Sequence, residues 1–253
     1  MNTVGFKTLL KKELLRFSKV AFQTIFAPVV TTLLYLVVFS QALDTRVSAF
    51  NNIDYATFLV PGLVIMAVLQ NAFANSSSSL TQAKITGHII FILLPPLSHI
   101  ELYLAYTIAA MVRGMLVGVG VLIAAILFIP IPVHDYGILF IFALTSSAVL
   151  GSIGIIAGIW AEKFDQLALF QNFIIMPLSF LSGVFYSIQA LPSFWQFISH
   201  LNPFFYMVDG FRYGFLGVSD VSPWYSLMFV FIAMLVSSGL TLTLLKTGYK
   251  LRH

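Results

Sequence analysis

A single charged side chain, Arg113, falls inside a long apolar stretch, and the amides of Gln70, Asn71 and Asn75 fall inside another. An ionisable group at membrane depth is costly and marks either a site or a specific partner. Arg113 therefore has two readings: it faces a path along which an anionic group travels, or it pairs with polar groups of a neighbouring helix. Glu101 does not serve as its partner within one straight helix, because twelve residues at 1.5 Å each separate the two by about 18 Å. A partner on another helix is the favoured reading. Gln70, Asn71 and Asn75 either line a polar path or hydrogen-bond between helices.

No other constellation suggests chemistry. The chain lacks a G-x-x-x-x-G-K-[ST] phosphate loop, an H-E-x-x-H pair and a G-x-S-x-G elbow. Its five histidines, His88, His99, His134, His200 and His253, are scattered without metal-ligand spacing. There is no cysteine, hence no disulfide or thiol chemistry. No enzyme, metal site or cofactor bound by this chain is expected. An ion-coupled carrier or channel is the alternative to be weighed. Such carriers commonly keep carboxylates at mid-membrane, and the apolar stretches hold none.

The elements that position these residues follow from composition. Of the 253 residues, 59% are hydrophobic and 9% charged, with a mean hydropathy of +0.97. A soluble domain carries about 25% charged residues to solvate its surface, so lipid is the expected solvent. The net charge of +4 does not point to nucleic acid, because the basic residues gather at the ends of apolar stretches. Those stretches are continuous rather than alternating, which favours helices over barrel strands. About 20 apolar residues cross the hydrocarbon core. The reading is an all-α membrane protein with six spans near 21–43, 57–79, 102–128, 137–160, 167–190 and 224–245. Asn51-Asn52, Pro95-Pro96 and Pro130-Ile131-Pro132 supply turns between them. The 24 apolar residues from Val20 to Leu43 exceed a signal-peptide core of roughly 7–15 and read as a retained first span.

Residues 191–217 are too broken to cross, with Pro192, Asn202 and Pro203 among them. They read as two short interfacial or re-entrant helices joined at Asn202-Pro203. Trp195, Phe204, Phe205, Tyr206, Tyr213 and Phe215 are expected at headgroup level. Charge placement supports this parse. Lys7, Lys11, Lys12, Arg16, Lys19, Lys84, Lys163, Lys246, Lys250 and Arg252 fall on one side, against Arg46 and Arg212 on the other. The positive-inside rule makes the first side cytoplasmic, with both termini there.

Residues 1–19 form a unit before the membrane domain of 20–253. Phe6, Leu10, Leu14 and Phe17 recur at helical spacing beside Lys7, Lys11, Lys12 and Arg16, as in an amphipathic helix lying on the inner leaflet. An unstructured basic anchor is the alternative. The pairs Gly114/Gly118 and Gly154/Gly158 and the series Gly210, Gly214, Gly217 allow close helix packing, within the chain or at a dimer seam. Pro177 predicts a kink in the fifth span.

Four stretches, taken in order, resemble ABC-2 type transporter permeases, the transmembrane subunits of bacterial ABC exporters. They are FLVPG at 58–62, FLSGVFY at 180–186, LPSFWQFISHLNP at 191–203 and GFRYGFLG at 210–217. The resemblance covers essentially the whole chain. It implies a half-transporter of the bacterial cytoplasmic membrane that exports a lipid-linked saccharide, glycolipid or drug-like molecule. ATP and Mg would belong to a separate ATP-binding subunit, and two permease copies would complete the unit. It further implies that the N-terminal helix and the loop between spans two and three contact that subunit, through Lys11, Lys12, Arg16, Lys84, His88, Ile90, Phe91 and Leu94. One departure stands out: relatives carry acidic residues in this loop, whereas residues 86–96 have none. Docking would then rest on Ile90, Phe91, Leu93 and Leu94, unless the loop lies partly in lipid. The pair of helices at 191–217, with Trp195, Asn202, Pro203, Tyr206, Arg212 and Tyr213, would match the family's outer re-entrant segment. A non-transporting membrane scaffold is a third reading.

Overall fold

A computed structural model describes residues 2–43 and 53–251. Arg46, Asn51, Asn52 and Arg252, each given a side or a turn above, lie outside the described residues. Helices α1 (Thr3–Ser18), α2 (Ala21–Leu43), α3 (Tyr55–Ile85), α4 (Ile89–Leu93), α5 (His99–Ile126) and α6 (Tyr136–Trp160) come first. A broken rod follows: α7 (Phe164–Phe170), a π-helical turn (Gln171–Ile175) and α8 (Met176–Phe180). Then come a 3₁₀ turn (Ile188–Ala190), α9 (Ser193–Leu201), α10 (Pro203–Leu216) and α11 (Pro223–Thr247).

Among the described residues, α2, α3, α5, α6 and α11 are long and apolar enough to cross a membrane. The stretch expected to span at 167–190 is shorter and broken. The rod from Phe164 to Phe180 is about 25 Å long at 1.5 Å per residue, against a core of about 30 Å. Pro177 cannot donate to the Phe173 carbonyl, and the π turn just ahead of it loosens the ladder there. Gly183, at φ 77°, then turns the chain.

Local chemistry sets the helix starts. Ser98 and Glu101 form a reciprocal capping box at α5, with the Glu101 carboxylate accepting the Ser98 N–H at 2.8 Å. Glu101 is thereby committed to the start of its own helix. Asp135 accepts the Gly137 and Ile138 N–H groups to open α6. Asn202 both accepts from the Phe204 N–H and donates to the Leu178 carbonyl, so α9 and α10 meet at a joint tied to α8. Pro203 occupies the first turn of α10, where a missing N–H costs nothing.

α3 is the central helix, packed on α5 and α6. From Phe58 to Thr81 every residue is buried except Gln70, Asn71, Ala74 and Ser78. The approach of α6 requires Gly154, since a Cβ there would overlap the Ser76 hydroxyl and the Phe73 carbonyl. The Ser76 hydroxyl donates across this seam to the Gly151 carbonyl at 2.7 Å. The glycine pairs singled out by their spacing all meet atoms of this same chain. Near the end of α3, the Lys84 ammonium donates to the Ile159 and Ala161 carbonyls at 2.6 and 2.8 Å. It thus satisfies the carbonyls that the end of α6 leaves open.

The aromatic residues expected at headgroup level divide into two groups by burial. Of the aromatic residues placed at headgroup level, Phe204, Phe205, Tyr206 and Phe215 are buried. α10 packs on α6, α11 and α3 as a core helix. The exposed aromatic face belongs to α9, through Phe194, Trp195 and Phe197. Alternation of apolar and aromatic residues in α10 reads identically for an interface and for a core, and only the partners on both sides decide between them.

The bundle has two chemically distinct ends. Lys84, Glu162 and Lys250 cluster at one, where Lys250 donates to Glu162 at 2.9 Å. That hydrogen bond to a carboxylate raises the Lys250 pKa above the ordinary lysine value. Arg212 lies at the other end, with its guanidinium 3.9 Å from the centroid of the Phe58 ring. Phe58 and Lys84 are about 39 Å apart along α3.

Candidate functional site

At the basic end, α1 and α4 flank the last turns of α3. Between them lies a groove of about 460 Å³ lined by Lys12, Arg16, Ser79, Gln82, His88 and Phe91 among others. Four residues picked from sequence, Lys12, Arg16, His88 and Phe91, thus share one concavity. Phe91 and Leu94 are each 70% exposed and Ile90 59%, an apolar ridge beside a basic groove. The His88 ring nitrogen Nδ1 lies 3.1 Å from the Thr86 hydroxyl. Lys11 is elsewhere, on the far face of α1 with Lys7, Leu10 and Leu14. Lys84 is turned inward, as described above.

α1 does not present a purely apolar stripe to its neighbours. Its buried residues are Leu9, Glu13 and Phe17, one per turn, with a carboxylate at the centre. Glu13 is 0% exposed, accepts from the Ser79 hydroxyl at 2.6 Å, and pairs with Lys12 at 2.8 Å and Arg16 at 3.5 Å. A buried carboxylate persists only when paired and hydrogen-bonded, and this one is. Sequence reading passed over Glu13. The available signal was its place at i+4 from Leu9 and i−4 from Phe17, on the very face the helix buries.

Arg16 and Asn75, assigned to different roles from sequence, are in contact. The Arg16 guanidinium donates to the Asn75 carbonyl at 2.7 Å and to its side-chain oxygen at 3.0 Å, and to Ser78 at 3.3 Å. One turn further along α3, Arg113 of α5 donates to the Asn71 side-chain oxygen at 3.3 Å. Asn71 in turn donates to the Ala67 carbonyl. The Arg113 guanidinium is 6.0 Å from the Phe17 ring of α1. Gln70 makes no hydrogen bond through its buried amide nitrogen. The residues at 12–16, 70–79 and 113 therefore form one polar seam running from the groove to the middle of α3.

A second polar assembly lies at the opposite end. Arg212, 1% exposed, donates to the Gly183 carbonyl at 2.5 Å. Asp209 accepts the Asp220 and Val221 N–H groups at 2.7 and 3.1 Å. Asp220 accepts from the Ser187 hydroxyl at 2.6 Å, and the Tyr55 hydroxyl donates to the Phe185 carbonyl at 2.8 Å. Tyr206 stacks on Phe229 at 4.3 Å, and Tyr213 meets the His134 ring edge-on at 5.4 Å. The turn at 181–190 is thus bolted to α3, α10 and the entry of α11.

This arrangement of α1, a polar seam on α3 and a pair of short helices before α11 can be compared with known proteins. A family model for the ABC-2 type transporter matches residues 4–216. The chain belongs to the ABC-2 type transporter family. Among its relatives, the Inner membrane transport permease YadH of Escherichia coli (strain K12) is 39% identical over 219 residues, covering 86% of this chain and 85% of that protein. Nodulation protein J of Rhizobium leguminosarum bv. viciae is 22% identical over 213 residues, covering 82% and 80%. Nodulation protein J of Rhizobium meliloti (strain 1021) is 24% identical over 209 residues, covering 82% and 79%. The ABC-2 match takes in α1, the groove, the polar seam and α10 together.

Proposed function

We propose that this chain is the transmembrane permease subunit of an ATP-driven exporter in the bacterial cytoplasmic membrane. The observation that carries the reading is the groove between α1 and α4, where Lys12, Arg16, His88 and Phe91 converge beside the exposed Ile90, Phe91 and Leu94. A basic groove with an apolar ridge suits a folded partner better than lipid alone, and membership of the ABC-2 family supports an ATP-binding subunit as that partner. ATP and Mg would be held by that subunit. The name of the YadH relative supports the inner membrane.

In this reading the basic end is cytoplasmic and the rod at 164–180 is counted as a sixth, shortened span, with α9 and α10 as the outer segment. Exposed apolar side chains on α2, including Phe22, Phe26 and Leu34, offer surface for lipid and for a second copy of the permease. The transported molecule is assigned to the broad class of lipid-linked saccharides, glycolipids and drug-like compounds.

The chain has no cysteine, so a single cysteine placed at Phe91 or Ile90 is its one thiol and can be crosslinked at a defined position in native membranes. The expected product is a covalent adduct with an ATP-binding subunit, and ATP hydrolysis by the recovered complex. Substrate flux by the purified chain alone, driven by a proton or sodium gradient, would sink the reading.

A further inference from the structure

The face of α3 that stays partly open is polar. Between Phe58 and Thr81 only Gln70, Asn71, Ala74 and Ser78 escape full burial, at the i, i+1, i+4 and i+8 spacing of a single stripe. Exposed Gln82 continues that stripe into the groove at the basic end. Arg16 stands beside its lower part through Ser78 and Asn75, and Arg113 beside its upper part through Asn71. Both Asn71 and Arg113 fall at the midpoints of their helices, which is the depth where a fixed positive charge is hardest to maintain in lipid.

The hydrogen-bonding along this stripe is unbalanced. The Arg113 Nε and the Gln70 amide nitrogen, with the Asn75 amide nitrogen on the adjoining buried face, are without a partner, and all three are donors. The Asn75 assignment is set by its oxygen, which already accepts from Arg16. Arg16 and Lys12 share a single carboxylate, Glu13, while Arg113 is paired only with a neutral amide. The seam therefore holds three cations, one anion and a surplus of donors. An acidic group is the ligand that would complete it, because charge-assisted hydrogen bonds to an oxyanion satisfy guanidinium and amide donors together.

We infer that this stripe is a binding track for the acidic head of an amphipathic molecule, a phosphate or carboxylate carried on an apolar tail. The head enters from the groove at Gln82 and is held at the level of Asn71 and Arg113. A tail is required because the track lies at membrane depth beside exposed apolar faces, such as that of α2. This inference rests on the permease reading for its purpose, naming the chemistry of the molecule moved, but not for its test.

The full chain in phosphatidylcholine nanodiscs is titrated with oleoyl lysophosphatidate, with monooleoylglycerol as the same tail without phosphate, and with inorganic phosphate as the head without a tail. Native mass spectrometry reads occupancy. Saturable binding of lysophosphatidate about tenfold or more tighter than either comparator is expected, the loss of one charge-assisted contact being worth about that factor. Arg113→Gln should weaken it by a similar factor and Arg113→Lys by less, while Lys163→Gln, remote from the stripe, leaves it unchanged. Gln70→Leu serves if Arg113→Gln fails to fold. Equal binding of the neutral lipid, equal binding of inorganic phosphate, or unchanged affinity in the stripe variants overturns the inference. So does quantitative disulfide pairing of an Ala74→Cys variant that lysophosphatidate cannot block, which would make the stripe a contact between two copies. No ATP or ATP-binding subunit is present in these titrations. A negative result therefore leaves the permease reading standing, and failure to find an ATPase partner leaves the titration intact.

Discussion

The Arg16 guanidinium grips Asn75 at two points, the backbone carbonyl at 2.7 Å and the side-chain oxygen at 3.0 Å, and so fastens α1 to α3. The same guanidinium is an ion-pair partner of buried Glu13. Removing it leaves that carboxylate with Lys12 and Ser79 alone. Arg16→Ala is expected to destabilise the chain by about 2 kcal/mol, less than a fully buried pair would lose because Arg16 is partly exposed. Chemical unfolding in detergent measures it. Adding Glu13→Gln should cost less than the sum of the two single changes, since the two side chains share one network. Strict additivity would disprove the coupling.

Gly154 and Gly239 offer a matched contrast. An alanine at 154 would press on the Ser76 hydroxyl and the Phe73 carbonyl, whereas nothing lies within 4 Å of a Cβ at 239. Gly154→Ala is expected to lower stability by about 1–3 kcal/mol through overpacking. Gly239→Ala should be neutral or stabilising by about 0.5–1 kcal/mol, as helix propensity dictates. Thermal melts of the two variants side by side decide the matter; equal effects would mean that the seam is looser than its geometry.

Lys84 can be tested by shape as well as charge. Lys84→Met keeps the stem and strands the Ile159 and Ala161 carbonyls, at an expected cost of about 1–2 kcal/mol. Hydrogen exchange should show faster opening of the last turn of α6 in that variant. Unchanged exchange at Ile159 to Ala161 would rule out the capping role.

At the opposite end, Arg212→Met removes the donor to the Gly183 carbonyl and the cation over Phe58. The turn at 181–190 should then loosen, with a loss of about 2–4 kcal/mol. Limited proteolysis of reconstituted protein reads this directly, as new cleavage between Ser182 and Gln189. Protection equal to the parent chain would show that Asp209 and Asp220 hold the turn without Arg212.

Much of this organisation is legible in the residue order. Long apolar stretches announce α2, α3, α5, α6 and α11 because helix crossing imposes a length on composition. Asn202-Pro203 announces the α9–α10 joint because proline and a side-chain cap favour a helix start. The broken rod at 164–180 was less legible, since the hydropathy of Gln171–Ile175 does not reveal a widened turn. Glu13 and Asp209 escape notice for another reason: a lone carboxylate in a short helix reads as solvated, and only the Ser79 hydroxyl or the backbone donors of Asp220 and Val221 that meet it from another element show otherwise. The polar residues Gln70, Asn71, Asn75 and Arg113 are individually visible, but the pairing of Asn75 with Arg16 joins residues 59 positions apart, beyond the reach of any local pattern.

The α3–α6 seam has a mechanical consequence. Ser76 crosses it in the middle, Gly154 lets the backbones touch, and Lys84 pins its end to the open Ile159 and Ala161 carbonyls. Sliding one helix along the other would break all of these contacts at once, so the two form a keel that shifts as a single body. Relative movement then falls to the parts hung on it: the interrupted rod at 164–180, and the peripheral α2 and α11, most of whose surface is exposed.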